Sequence, residues 1–285
     1  MRTDNNVESH HSSLQAGYLF RVLMRRAKYL MGHDPAFLPI HLRLTPLGLS
    51  RQLTESTDLV IEGFPRSGNT FTTFAIQDAS RYELTIASHV HQPSQIKLAL
   101  GRGLPTVLVI RDPLSALASH LVYDHRFSTS SVIGEYCSYH RQLVPYAERL
   151  FICEFDEVTS DISSVIDRIN CRYSLQIPPF DDEPSNVKRI LTQIDWRHRL
   201  IHPSLDPVQS VASPQSDRRK LNEQMREELL HPRNASKMAF AQELFEFFCM
   251  IASRQREFLS EKEFLGNQSH SFSDESSATF SVDKG

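Results

Sequence analysis

Two hydrophobic rhythms alternate along this chain. Short unbroken apolar runs, Leu59-Val60-Ile61 and Val107-Leu108-Val109-Ile110, read as strands buried on both faces. With their neighbours they predict strands over 58–62, 84–88, 106–110 and 150–153. Between and after them apolar positions recur at helical spacing, which predicts helices over 70–80, 93–100, 113–122, 132–146, 160–172, 215–230 and 235–264. Strands that alternate with helices indicate an α/β protein with a central parallel sheet covered by helices, a three-layer α/β/α arrangement.

The segment 178–214 breaks this rhythm. It carries many prolines and reads as irregular structure inside the domain, a place for a lid or a substrate loop. Trp196, the one tryptophan of the chain, lies there beside Arg197, His198 and Arg199. They can line a sugar or anionic ligand, or the tryptophan can anchor a small core. The ends differ from the middle: residues 1–15 read as a flexible leader, 16–265 as one domain, and 266–285 as a disordered Ser-rich tail.

Composition narrows the function. Thirty-one Lys and Arg against 34 Asp and Glu give a net charge of −3 over 285 residues. A general polyanion binder needs a basic excess, so nucleic acid is not the expected partner. No run reaches the roughly 18 apolar residues of a membrane span. The segment 18–31 is interrupted by Arg21, Arg25, Arg26 and Lys28. As a helix it offers either a weak peripheral contact with anionic lipid or, more commonly for such patterns, a packed helix with a solvated basic face. It lacks a cleavage site, so the expected location is cytoplasmic. Cys137, Cys153, Cys171 and Cys249 have no paired spacing, which indicates free thiols.

Candidate chemistry begins after the first strand, at Gly63-Phe64-Pro65-Arg66-Ser67-Gly68-Asn69-Thr70. The spacing matches the phosphate loop G-x-x-x-x-G-K-[ST] except that Asn69 stands in place of lysine. Two glycines let the backbone turn around an anion, and amides at the new helix end then face phosphate oxygens. The fold expected is therefore of the P-loop nucleotide-binding type. Arg66 supplies a cation inside the loop. A second anchor follows the third strand, at Arg111-Asp112-Pro113-Leu114-Ser115-Ala116-Leu117-Ala118-Ser119. Arg111 falls at the carboxyl end of a parallel strand, where ligands bind in open sheets, and Ser119 lies on the next helix. A guanidinium and a hydroxyl there make a second phosphate clamp, so two separated anion sites suggest a ligand with two separated phosphates. Two alternatives stay open: Arg111 pairs with a carboxylate, or Asp112 or Asp156 is the metal-binding acid of a nucleoside triphosphatase.

At these residues the chain resembles the sulfotransferases that use 3′-phosphoadenosine 5′-phosphosulfate. Pro65-Arg66-Ser67-Gly68-Asn69-Thr70-Phe71 is similar to their 5′-phosphosulfate loop, commonly Pro-Lys-Ser-Gly-Thr-Thr-Trp, and Arg111 to Ser119 is similar to their 3′-phosphate motif. The resemblance is clear over 59–121, weaker over 151–173 and faint beyond. It implies that Arg66, Ser67, Gly68, Asn69, Thr70 and Phe71 hold the phosphosulfate and adenine side of the donor, with Arg111 and Ser119 on the 3′-phosphate. It also implies a catalytic histidine between the motifs, where Ser88-His89-Val90-His91 stands. His89 aligns best as general base, with His91 as rival, since strand alternation would put both on one face.

Arg66 in place of the family's lysine stays protonated at working pH, so it can stabilise charge on the leaving phosphate without donating a proton. Arg218, Arg219 and Lys220 lie where a late loop of the family adds basic contacts, although a solvated helix start is the plainer reading. The function implied is sulfuryl transfer from this nucleotide co-substrate to a hydroxyl acceptor, a carbohydrate or small molecule, with no metal required. The alternatives are a magnesium-dependent kinase or nucleoside triphosphatase with a degenerate loop, and a non-catalytic nucleotide-binding protein.

Overall fold

The structure, a computed structural model, describes residues 27, 32–43, 52–124, 127–201 and 216–275. The expected leader 1–15 lies outside them, as does nearly all of the expected helix 18–31. A short helix α1 (Leu38–Arg43) precedes β1 (Leu59–Glu62), α2 (Asn69–Ala79), β2 (Ile86–Ser88), α3 (Pro93–Gly101) and β3 (Thr106–Ile110). There follow α4 (Pro113–Tyr123), α5 (Thr129–Arg141), β4 (Phe151–Glu154), α6 (Phe155–Ser160), α7 (Ile162–Tyr173), α8 (Pro184–Ile201), α9 (Ser216–Leu229) and α10 (Ala235–Glu275).

The four strands form one parallel sheet in the order β2-β1-β3-β4. Alternate residues of β3 enter different cores, as the pleat requires. Leu108 and Ile110 join Ile152, Leu117 and Leu121 of α4, Tyr136 of α5 and Phe248 of α10. Val107 and Val109 join Leu59, Ile61, Ile76 of α2, Val165 of α7 and Ile190 of α8. Each aliphatic side chain buried in this way contributes about 1.5–3 kcal/mol. The molecule is thus an α/β protein with an all-parallel sheet and apolar cores on both faces.

Parallel strands all point their carboxyl ends to one edge, and the order places β1 between β2 and β3. The loops after those three strands therefore meet. Local signals set where the helices start. Asp112 caps α4, its Oδ1 accepting from the Ser115 N–H at 2.8 Å, with Pro113 in the first turn. Asp161 caps α7, whose Ile162, Val165, Ile166 and Ile169 form one buried stripe.

Two expectations change. The Pro-rich segment 178–214 is not irregular throughout, because 184–201 form α8. Its prolines lie before the helix, at its start or beyond its end, and Val187, Ile190, Leu191 and Ile194 repeat at helical spacing against the α2 face of the sheet. Residues 202–214 lie outside the described residues. At the other end α10 continues to Glu275, so the first part of the segment expected as a tail from Gly266 is helical. Extending an existing helix costs far less than starting one, which lets weak helix formers join it. Among the described residues no helix is long and apolar enough to cross a membrane.

Candidate functional site

The loop after β1 has the geometry that its glycines permit. A Cβ on Gly63 would stand 2.3 Å from the Val109 carbonyl of β3, so only a bare Cα fits against the neighbouring strand. Gly68 has φ +97°, and a Cβ there would meet the Phe155 ring at 3.0 Å. Arg66 is also left-handed, φ 71°, an unusual state for a non-glycine residue. Gly68 is the N-cap of α2 without a side chain to cap it, so the first-turn amides face the loop's concave side.

Asn69 takes a different part from the lysine it replaces. It is 3% exposed, and its Nδ2 donates to the carbonyls of Gly63 at 3.1 Å and Phe64 at 3.3 Å. This side chain closes the loop on itself. Ser67 is also buried, and its N–H donates to the Phe64 carbonyl at 3.2 Å. Of the expected loop residues, Arg66, Gly68, Asn69, Thr70 and Phe71 line a cavity, whereas Ser67 lies behind it.

Both histidines lie just past the end of β2, His89 with φ 67° and His91 with φ 54°, so the strand's two-residue alternation no longer governs them. They line the same cavity all the same. His89 Nε2 lies 2.9 Å from Thr70 Oγ1 and its Nδ1 2.6 Å from Ser88 Oγ. If the Nδ1 proton goes to Ser88, the lone pair is on Nε2, beside the first turn of α2. His91 Nδ1 donates to the Gly63 carbonyl at 2.8 Å, which anchors that ring to the loop. Beneath both lies Glu62, a carboxylate fully buried at the end of β1. It accepts the Val90 N–H at 2.8 Å, the His91 N–H at 3.0 Å and Gln95 Nε2 at 2.9 Å. These bonds hold the strained turn that presents the histidines. Glu62 was not singled out in the sequence, although an acid closing an apolar strand is a signal for such a role.

The second motif meets the first directly. Arg111 Nη1 donates to the Arg66 carbonyl at 2.8 Å, and Arg66 Nε donates to Ser119 Oγ at 3.1 Å. The two expected anion sites are therefore one hydrogen-bonded junction, because β1 and β3 are neighbours in register. The Arg111 guanidinium lies 3.8 Å from the Phe155 ring centroid. Arg218, 5% exposed, adds Nη2 at 3.5 Å from Ser119 Oγ, while its Nη1 has no hydrogen-bond partner among the described residues. Arg226 Nη2 donates to Ser115 Oγ at 2.5 Å, one turn before Ser119 on α4. The expectation of a solvated helix start at 218–220 is corrected for Arg218, which α9 buries against α4.

Burial, and then repulsion from Arg218 and Arg111, lower the Arg66 pKa to about 9. Burial likewise lowers Arg111 to about 10, although Asp156 and Asp112 pull it upward. Arg218 is lowered by burial against the opposing pull of Asp195. All three stay protonated at neutral pH, so the crowding persists as positive potential. The cavity they face has a volume of about 750 Å³. Among the described residues six arginines line it, namely 66, 111, 197, 218, 219 and 226, and no Asp or Glu does. A lining of this charge favours an anion over a cation.

From the 196–199 cluster Arg197 and His198 reach this cavity, while Trp196 is 66% exposed and does not line it. Among the described residues no group of three His, Cys, Asp or Glu stands at metal-binding reach. No protein-family model matches the chain, and no curated protein matches it.

Proposed function

We propose that this protein is a sulfotransferase of the P-loop-like type, transferring a sulfuryl group from 3′-phosphoadenosine 5′-phosphosulfate to a hydroxyl. The observation that carries the reading is the junction of the two motifs: Arg66, Arg111 and Ser119 hydrogen-bonded together at a cavity that His89 also lines and that no carboxylate lines among the described residues. In this reading the Arg66–Phe71 turn and its amides hold the phosphosulfate. Arg111, Ser119 and Arg218 hold the 3′-phosphate, and Phe71 and Phe155 offer apolar surface to the adenine.

The acceptor oxygen attacks sulfur and forms the new O–S bond. The bond from sulfur to the 5′-phosphate oxygen breaks, and its electron pair remains on that oxygen, giving adenosine 3′,5′-bisphosphate. His89 Nε2 takes the acceptor's proton, and Arg66 stabilises the charge gathering on the leaving phosphate. Asp112 favours this over magnesium-dependent phosphoryl transfer, since its Oδ1 is already engaged in capping α4.

Calorimetry is the direct test. Adenosine 3′,5′-bisphosphate should bind about tenfold or more tightly than adenosine monophosphate, a difference of about 1.4 kcal/mol, and EDTA should not alter it. Equal affinities would end the reading. His89→Ala should abolish turnover while bisphosphate binding persists; unchanged turnover and pH profile would move the base elsewhere.

A further inference from the structure

We propose that the acceptor is an anionic amphiphile, an alcohol with an apolar body and a carboxylate or similar anion, selected by α8 through Arg197. This rests on the sulfuryl-transfer reading of the same cavity. Thr70, Phe74 and Asp78 follow one another at four-residue spacing along one ridge of α2, so about 6 Å of helix separates each from the next. Each engages a different partner. Thr70 Oγ1 lies 2.9 Å from His89 Nε2, Phe74 lies under the Arg197 guanidinium at 5.3 Å, and Asp78 forms a two-pronged ion pair with Arg189 at 2.6 and 2.8 Å.

The Asp78–Arg189 pair fixes the register of α8 on α2. That register brings Arg197 to within about one helical turn of the residue that touches the proposed base. Around it α8 presents Val187, Leu191, Ile194 and Ile201 to the cavity, spaced as one helical face. This wall suits a hydrocarbon body.

Arg197 stands apart from the other five guanidiniums, which belong to the loop, to the β3 end and to α9, where the donor's phosphates are assigned. It has no carboxylate partner among the described residues, and its guanidinium lies over the Phe74 ring. Stacking covers one face of the guanidinium and leaves its N–H edge able to grip an anion in plane. A cavity lined, among the described residues, by six arginines and no acid also repels a cationic acceptor.

The experiment uses the full chain saturated with adenosine 3′,5′-bisphosphate, so that no turnover is needed. Three probes are titrated by calorimetry: octanol, ω-hydroxyoctanoate and ω-hydroxyoctyl-trimethylammonium. The carboxylate should bind about tenfold more tightly than octanol, and the quaternary ammonium least. Arg197→Ala should bring the carboxylate down to octanol, and Arg197→Glu should invert the preference for charge. The proposal is overturned if the carboxylate has no advantage, if its advantage survives Arg197→Ala, or if none of the probes binds. Should the bisphosphate itself fail to bind, the transfer reading falls, and the probes are titrated on the unliganded protein. There an Arg197-dependent carboxylate preference sustains the α8 assignment, and its absence overturns that as well.

Discussion

At the carboxyl edge of the sheet, beyond β4, Arg168 and Arg256 both donate to Glu157 Oε1 at 2.9 Å, and Arg256 also reaches Glu154 at 3.2 Å. Along the same edge, beyond β1 and β3, Arg66, Arg111 and Arg218 meet a hydroxyl and a backbone carbonyl and, among the described residues, no carboxylate oxygen at hydrogen-bond distance. The consequences for charge are opposite. Burial acts on Arg256, yet Glu157 and Glu154 carry its pKa above the ordinary arginine value, whereas burial and then repulsion from Arg218 and Arg111 lower Arg66, and burial lowers Arg111 against the pull of Asp156 and Asp112. The β4 cluster finds its counter-charge within the chain and fastens α10 and α7 to α6. The cavity cluster has no such counter-charge among the described residues, and under the proposed function an incoming anion supplies it.

The strongest way to break this contrast is to give the cavity its own carboxylate. Ser119→Asp places an acid between Arg66 and Arg218 and makes the site resemble the β4 cluster. Adenosine 3′,5′-bisphosphate should then bind about 10²–10³-fold more weakly, because the new charge repels phosphate and occupies its donors. The melting temperature of the unliganded protein should rise in the same variant. A drop in stability with affinity intact would mean that these arginines are not a ligand's counter-charge.

Burial can be isolated from repulsion at His140, which is fully buried among Phe64, Tyr136, Tyr139 and Phe248. Its Nδ1 donates to the Tyr136 carbonyl at 2.9 Å, and its pKa is lowered by burial from 6.5 to about 4. The unfolded chain takes up this proton below about pH 6.5, while the folded protein does so only near pH 4. Stability is therefore full above that window and falls as pH drops through it, by about 3 kcal/mol at the acid end. Denaturant titrations of the wild type and His140→Gln from pH 7 to pH 4 read the difference. Parallel curves would remove His140 as its source.

The β4 cluster gives a smaller and opposite signature. Glu157→Gln leaves Arg168 and Arg256 short of their shared negative charge, in a site only partly shielded from water. Unfolding free energy should fall by about 1–2 kcal/mol, with bisphosphate affinity unchanged. If affinity fell instead, the two clusters would be coupled.

The legible part of this molecule was whatever is coded locally. Loop glycines between a buried strand and a helix, an arginine at a strand end and an Asp-Pro helix start are short-range signals, and all stand where expected. What the chain concealed depends on strand order. That Arg111 touches the Arg66 carbonyl follows from β1 and β3 being neighbours, which no spacing within either motif encodes. Arg218 reads as a surface residue among charges until α9 is laid on α4. Helix α8 was hidden for another reason: the prolines flanking it dominated a segment whose interior, from Val187 to Ile194, keeps a plain helical rhythm. Glu62 shows the limit from the other side, since its use lies in amides 28 and 29 residues away.

The finest test asks how much of the cavity's anion affinity belongs to the hydroxyl rather than to the guanidiniums around it. Ser119 Oγ receives Arg66 Nε at 3.1 Å and lies 3.5 Å from Arg218 Nη2, so it orients two cations without cancelling either. Ser119→Ala removes that orientation and leaves the charge in place. Bisphosphate binding should weaken by only about fivefold, on the order of 1 kcal/mol, the worth of an uncharged hydrogen bond. Since alanine and aspartate remove the same hydroxyl, the gap between the two variants measures what the added carboxylate does, by repelling phosphate and by occupying the arginine donors. A wide gap makes electrostatic completion the principle of the site. If alanine proved as damaging as aspartate, precise placement of the arginines by Ser119 would outweigh their charge, and the cavity would differ from the β4 cluster in geometry more than in sign.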